Sequence, residues 1–435
     1  MKLYLVLGWL FGSLTLAYAQ EKLTVKEAIA ITLENNFDIQ LAENTTKIAQ
    51  ENLSLGNAGF LPTVTANLNQ NNSLQNLEQI QNSGEVRSMK NAKNNSLNYG
   101  LNVGWTIFDG LGMFTRYKVL DETEKRTGIA FKKSVLTQVS DVLSTYYSIV
   151  EQKTLLAALD TTIQISADRL KVAENRFEIG KASRLEVLNA QVNLNEDQSN
   201  KVRQQAVVKN LKTNLNRLMG RMLTVEFDVL DEVTFQETML LPNLQAQALT
   251  QNPDLQLIAV DKTLAELQLK ATKANRLPVI RLNAGYIFSD SESSLGFVKS
   301  SNAKGLNYGA TIALNVFDGF NQRRNERVSK LQIKSAEILL AQQQQLVEST
   351  LLTAFEDYQT NRLLIDLEEN NEKIARQNLR ITLDKFRIGT VSTVEFRDAQ
   401  ENYINAVARR NAAVSALKRS EIQVEFIAGN LRIAE

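Results

Sequence analysis

The stretch Leu97-Asn-Tyr-Gly-Leu-Asn-Val-Gly-Trp-Thr-Ile-Phe-Asp-Gly110 decides how the rest of the chain is read. Its odd positions, Leu97, Tyr99, Leu101, Val103, Trp105 and Ile107, are apolar; its even positions, Asn98, Gly100, Asn102, Gly104 and Thr106, are polar or small. A period of two marks a strand with one greasy face and one wet face. The pattern returns 209 positions later as Leu306-Asn-Tyr-Gly-Ala-Thr-Ile-Ala-Leu-Asn-Val-Phe-Asp-Gly319. Shorter alternating runs precede each copy, one behind Pro62 and one behind Pro278. Four strands are therefore expected, at 62–70, 97–108, 278–289 and 305–317. The intervening segment 70–96, rich in Asn, Gln and Ser, reads as a solvated loop.

The remainder is helical in pattern, with only 4 prolines in 435 residues. Helices are expected at 23–59, 110–179 and 184–219, and again at 242–275, 319–386 and 391–429. Thr24 with Glu27 forms a capping-box signature, and Asp109 is placed to cap the long helix. Leu136, Leu143 and Val150 recur every seven residues, as do Ile163, Leu170 and Phe177. Arg176-Phe-Glu-Ile-Gly-Lys-Ala-Ser183 aligns with Lys385-Phe-Arg-Ile-Gly-Thr-Val-Ser392, at the same offset as the strands. Asn36-Phe-Asp-Ile-Gln-Leu41 aligns with Asn252-Pro-Asp-Leu-Gln-Leu257 at a slightly larger offset, the difference falling in the hairpin loop. The chain is a tandem duplication, 20–230 and 231–435.

Composition excludes several classes of function. Lys and Arg total 49 against 48 Asp and Glu, so nothing favours nucleic acid. With no cysteine and no histidine there are no disulfides, no thiol nucleophile and no common zinc site. No nucleophile–base constellation and no cofactor motif stands out, which argues against an enzyme. Lys2, the apolar run Leu3–Leu16 and Ala17-Tyr18-Ala19 read as a signal peptide, 1–19, leaving Gln20 as the first mature residue. No later stretch is apolar for the ~20 residues a helical span needs, so a membrane could be crossed only by strands. Strands of ~10 residues suffice when tilted, and Tyr99, Trp105, Tyr286, Phe288 and Tyr308 suit a membrane interface. Four strands cannot close a barrel and an open edge is forbidden in lipid. Two chains would give eight strands and three would give twelve. Alternation by itself equally describes a soluble sheet with one buried face.

The order of signal peptide, then twice helix, Pro, hairpin, Asp-Gly, long helix, Gly turn and helix, resembles the TolC family of outer-membrane efflux proteins over essentially all of the mature chain. Leu61-Pro62-Thr63, Phe108-Asp109-Gly110, Phe317-Asp318-Gly319 and the two Ile-Gly turns carry the resemblance most specifically. It implies a mainly α fold with membrane β: a homotrimer whose four strands per chain close a twelve-stranded barrel in the outer membrane of a Gram-negative bacterium, continued by an α-helical barrel in the periplasm. It implies a passive exit duct of a tripartite efflux or type I secretion system, with a periplasmic adaptor and an inner-membrane pump as partners. In the family, acidic side chains after the second turn narrow the tunnel; Glu395 and Asp398 stand there, on one helix face. Three copies would make a ring favouring cations. Glu186 is the first-repeat equivalent of Glu395, whereas Asn189 replaces Asp398, and Arg397 stands ready to pair with a carboxylate. Phe386 occupies the place of an aromatic residue that helps hold the entrance shut. The hairpin tips Ile179, Gly180, Lys181 and Ile388, Gly389, Thr390 match the adaptor-docking points. Plainer readings stand beside these: solvated helix acids, ordinary packing for Phe386, and glycine simply permitting a turn. A non-channel coiled-coil structural or adhesive envelope protein is the alternative function; it predicts heptads without paired amphipathic strands.

Overall fold

The computed structural model describes residues 22–230, 233–235, 239–294 and 298–431. The expected signal peptide at 1–19, and residue 231 at the expected repeat boundary, lie outside the described residues. In chain order the elements are β1 (Lys22–Leu23), α1 (Val25–Asn35), α2 (Phe37–Asn52), α3 (Leu55–Ala58), β2 (Thr63–Ile80), β3 (Val86–Asp109), α4 (Gly112–Glu178), α5 (Arg184–Leu218) and β4 (Asp228–Val229), then α6 (Leu241–Gln251), α7 (Pro253–Ala274), β5 (Val279–Ser293), β6 (Ser300–Ala313), α8 (Asn321–Ile388) and α9 (Thr393–Ala428). Two compact units result, and neither is a repeat: one comprises Leu41–Lys132 with Pro253–Leu346, the other the chain up to Gln40 with Lys133–Asn252 and Val347 onward. Each unit takes a share of both repeats.

The first unit holds one antiparallel sheet in the order β2-β3-β5-β6. All four strands differ from expectation at their ends. Segment 70–96 is not a loop: β2 and β3 stay paired from Thr63 with Gly104 out to Ile80 with Val86, closing on a tight turn in which Gly84 has φ 84°. Neither face of that outer ribbon is buried in apolar surroundings, so its sequence has no hydrophobic period to reveal it. Conversely β6 stops at Ala313, not 317, because its partner β5 begins at Val279, opposite Ala313.

Both strand-to-helix junctions use the same device. Gly110 and Leu111 have φ of 70° and 68°, and Gly319 and Phe320 have 68° and 64°. Two successive left-handed residues turn the chain before either long helix starts, which moves those starts from 110 and 319 to Gly112 and Asn321. The bulky second residue costs on the order of 1 kcal/mol in that conformation. The aspartate before each turn offsets it: Asp109 Oδ1 accepts from the Met113 N–H at 2.9 Å and Asp318 Oδ2 from the Gln322 N–H at 2.6 Å.

The second unit is helical with a two-residue parallel bridge, β1 beside β4. Its core gathers Val142, Leu143, Tyr146, Ile149 and Val150 of α4 with Leu215, Met219, Phe227 and Ile29. Burying each such side chain contributes about 1.5–3 kcal/mol. Tyr146 is 1 % exposed; its hydroxyl donates to the Leu23 carbonyl at 2.8 Å and accepts from the Leu230 N–H at 3.0 Å, holding both bridge strands. Of the expected heptad residues, Leu143 and Val150 are buried, whereas Phe177 is 40 % exposed.

The expected helices 23–59 and 242–275 are broken. Asn36 leaves the helical region with ψ 128° and Asn252 with ψ 120°. The Asn36 amide nitrogen donates to the Leu218 carbonyl at 2.7 Å, and that of Asn252 to the Ile427 carbonyl at 2.8 Å. Asn36 Oδ1 then caps α2 by accepting from the Asp38 and Ile39 N–H groups. A Cβ on Gly220 would lie 2.2 Å from the Asn35 carbonyl oxygen, and one on Gly429 2.3 Å from that of Gln251. Only glycine permits the close approach that lets each asparagine reach its helix end. A second break at Ser54 precedes α3, which ends on left-handed Gly59, where the helix is expected to end.

Candidate channel wall and constriction

Register sorts the sheet's side chains onto two faces. One row joins Ala66, Leu101, Tyr286 and Leu306; its neighbour joins Val64, Val103, Ala284 and Tyr308. These are exposed: Tyr308 is 83 %, Val64 65 % and Leu306 62 % accessible. The apolar band begins where Ile280 meets Ile312 and ends where Tyr99 stacks on Phe288 at 4.9 Å. Beyond it Gln70, Leu97, Asp290 and Asn302 form a polar row. From Ile280 to Phe288 the band is about 27 Å of strand, roughly 20 Å of height at a 40° tilt, close to the ~25 Å of a barrel's lipid belt. An exposed apolar surface of this extent needs a non-aqueous neighbour. The opposite face is mostly Thr, Asn, Ser and Gly. Its charged side chains include Arg281, between Thr106 and Thr311, Asp109, opposite Val279, and Arg87, opposite Gln79 on the outer ribbon. β2 and β6 are paired on one side only.

The helical unit carries the other candidates. At the first tip the Lys181 N–H donates to the Arg176 carbonyl at 2.7 Å, and at the second the Thr390 N–H donates to the Lys385 carbonyl at 3.0 Å. Ile179, Gly180, Lys181, Ile388, Gly389 and Thr390 are all exposed, Ile179 to 67 % and Ile388 to 76 %. Ser183 and Ser392 cap the following helices, which is why α9 starts at Thr393 instead of 391.

The four constriction candidates have different fates. Asp398 is exposed and makes no hydrogen bond or ion pair with any described residue. Glu395 is exposed but folded back: its carboxylate accepts from the Ser392 N–H at 2.9 Å and the Ser392 hydroxyl at 3.1 Å. That backbone bond, then the hydroxyl, holds its pKa below the usual glutamate value. Glu186 is half-buried, 3.9 Å from Arg176. Phe386 is 1 % exposed, its ring 5.2 Å from that of Phe396 and covered by the Arg176 guanidinium at 5.5 Å. Within this chain its side chain is packed between Phe396 and Arg176.

Arg397 pairs with neither Glu395 nor Asp398. It reaches α5, donating to Asp197 at 3.0 Å and Glu196 at 3.2 Å, and to Glu401 on its own helix at 2.8 Å. Burial pulls its pKa down, but Asp197 and Glu401 outweigh that and raise it. Asp197, 5 % exposed at its side chain, also accepts from the Ser166 hydroxyl at 2.5 Å and the Gln400 amide at 3.4 Å. Arg169 lies in the same region, 3 % exposed, with its guanidinium 5.6 Å from the Phe396 ring centroid and its Nε and Nη1 without hydrogen-bond partners. Burial first, then Arg397, lowers its pKa against the opposing pull of Glu186 and Asp197. Sequence reasoning missed this network: its members lie on three helices, and no local spacing joins them.

Comparison with known proteins decides the family. The model for outer membrane efflux proteins matches twice, over residues 28–221 and 244–430. The chain belongs to the outer membrane efflux protein family. The double match falls on the two repeats, and the family places the chain in the outer membrane. Escherichia coli outer membrane protein TolC is 28 % identical over 189 residues, a match covering 42 % of this chain and 36 % of TolC, little more than a third of that relative's length. The Campylobacter jejuni CmeC outer membrane channel superposes with a TM-score of 0.79 at 18 % identity, covering 93 % of this chain and 85 % of CmeC. Vibrio cholerae outer membrane protein VceC gives 0.75 at 13 %, covering 93 % and 96 %. The fold of this efflux-family chain is thus that of solved outer-membrane channels.

Proposed function

We propose that this efflux-family protein is a passive exit duct: a homotrimer whose sheets close a twelve-stranded barrel in the outer membrane and whose helices line a tunnel leading to it. The observation that carries the reading is the two-faced sheet with unpaired edges. An apolar band of bilayer height requires lipid, and lipid tolerates no free strand edge, so β2 of one copy must pair with β6 of another. Three chains bring the strand count to twelve, a number that leaves an interior. The free Asp398, with Glu395 one turn away, is the best candidate for an acidic ring narrowing the tunnel, with Glu186 a weaker contributor because Arg176 stands beside it. Because Arg397 is engaged elsewhere, it does not cancel that ring. The exposed tips Ile179–Lys181 and Ile388–Thr390 are the docking points for a periplasmic adaptor, which links the duct to an inner-membrane pump of a tripartite efflux or type I secretion system. Neisseria gonorrhoeae MtrE, a channel of the same fold with a TM-score of 0.71, has been solved in an open state, which fits a tunnel able to change its bore.

Planar-bilayer recording tests the reading. Purified protein should give stable, cation-preferring channels, and Glu395→Ala with Asp398→Ala should raise conductance or weaken block by multivalent cations. Absence of channels would reject the duct. Channels with unchanged selectivity in the double variant would reject the constriction.

A further inference from the structure

The polar face of the sheet poses a question that the duct alone does not answer. In the rows crossing all four strands it is electrically silent: Thr63 with Gly104 and Asn283, Thr65 with Asn102 and Gly285, Asn67 with Gly100 and Ile287. One row nearer the helices, beyond the start of β2, stands Arg281, exposed and flanked by Thr106 on β3 and Thr311 on β6. It makes no hydrogen bond or ion pair with any described residue, and the aspartates nearest in sequence to the strand ends are occupied. Asp109 accepts from Arg116 at 2.8 Å and from the Met113 N–H; Asp318 accepts from the Gln322 N–H. The two other charged groups on this face are paired, Asp109 with Arg116 and Arg87 with Glu85, so Arg281 is its binding group without a partner.

We propose that Arg281 forms an anion-binding ring inside the barrel, recognising polyvalent anions and cargo bearing phosphate, sulfonate or several carboxylates. The inference rests on the trimeric duct, because one copy supplies one cation and the ring needs three. Twelve strands at about 4.8 Å spacing and 40° tilt make a barrel roughly 24 Å across its backbone. An extended arginine side chain reaches about 6–7 Å inward, which brings three guanidiniums to roughly 5 Å from the axis. That lies inside the Debye length of about 8 Å at physiological salt, so an anion on the axis feels all three. Rings of Arg or Lys are a standard means of anion recognition in pores, and the guanidinium fork suits oxyanions geometrically. The ring is independent of Glu395 and Asp398, which belong to the helical unit and carry the opposite charge.

Single-channel recording with inorganic tripolyphosphate as the probe separates the possibilities. Wild-type channels should show reversible, voltage-dependent block that weakens as salt is raised. Arg281→Gln should need about ten-fold more tripolyphosphate for half-block, and Arg281→Lys should keep most of it, while all three conduct and migrate as trimers. Equal block of wild type and Arg281→Gln would overturn the ring and leave the duct intact. A wild type that never conducts would overturn the duct reading, and the ring with it. Loss of block in the lysine variant as severe as in the glutamine variant would overturn charge as the basis of recognition.

Discussion

The two hairpin tips began as copies and have diverged into different jobs. At the first, Phe177 is 40 % exposed, with the Arg184 guanidinium 5.7 Å from its ring centroid. At the second, its counterpart Phe386 is buried against Phe396. The first tip's Arg176 covers the second tip's phenylalanine, while the second repeat has Lys385 in that place. Asp197 of the first repeat faces Arg397 of the second; their own counterparts are Ala406 and Leu188. Duplication supplied two identical surfaces, and divergence made one the lock and the other the key. One repeat alone would have neither.

That asymmetry sets the predictions. Phe386→Ala should lower stability by about 3–5 kcal/mol by leaving an aromatic-sized void, whereas Phe177→Ala should cost well under 1 kcal/mol; thermal unfolding of the two purified variants checks this, and equal losses would erase the distinction between tips. Asp197→Ala should cost about 3 kcal/mol by stranding Arg397 and Arg169 without their buried carboxylate. Adding Arg397→Leu, the residue found in the other repeat, should recover part of that loss in a double-mutant cycle.

Where the repeats remain alike, their responses should match. Asn36→Ala and Asn252→Ala should each cost about 1–2 kcal/mol for a lost buried hydrogen bond to a helix end, and a large difference between them would mean that the two breaks are not equivalent. The smallest effect is expected at Glu395. Its pKa is depressed in the folded state, so its contribution is present at neutral pH and is lost as pH falls through that lowered value. Glu395→Gln should therefore flatten the acid limb of a stability–pH curve and change little at pH 7.

Much of this was legible in the chain. Alternation around Trp105 and Tyr308 exposed the strands because one face meets a uniform medium. The matching Ile-Gly turns exposed the duplication because only a few residue types permit a left-handed turn. The rest was hidden for physical reasons. The outer ribbon of β2 and β3 is held by backbone pairing with water on both sides, so its side chains carry no period. The breaks at Asn36 and Asn252 look helical locally, and are imposed by helix ends at Leu218 and Ile427 far away in sequence. The partners of Arg397 were invisible for the same reason: Asp197 lies 200 positions from it.

Each sheet is completed, on this reading, by the edges of sister copies, and the absence of cysteine in the chain allows a direct cross-linking test. One cysteine is placed on β2, at Thr65, in turn with cysteines at successive positions of β6 from Asn307 to Ala313, and membranes are oxidised. A covalent trimer, with no larger species, is expected at one or two pairings that share a row. Monomers at every pairing, or a ladder running past three, would contradict it.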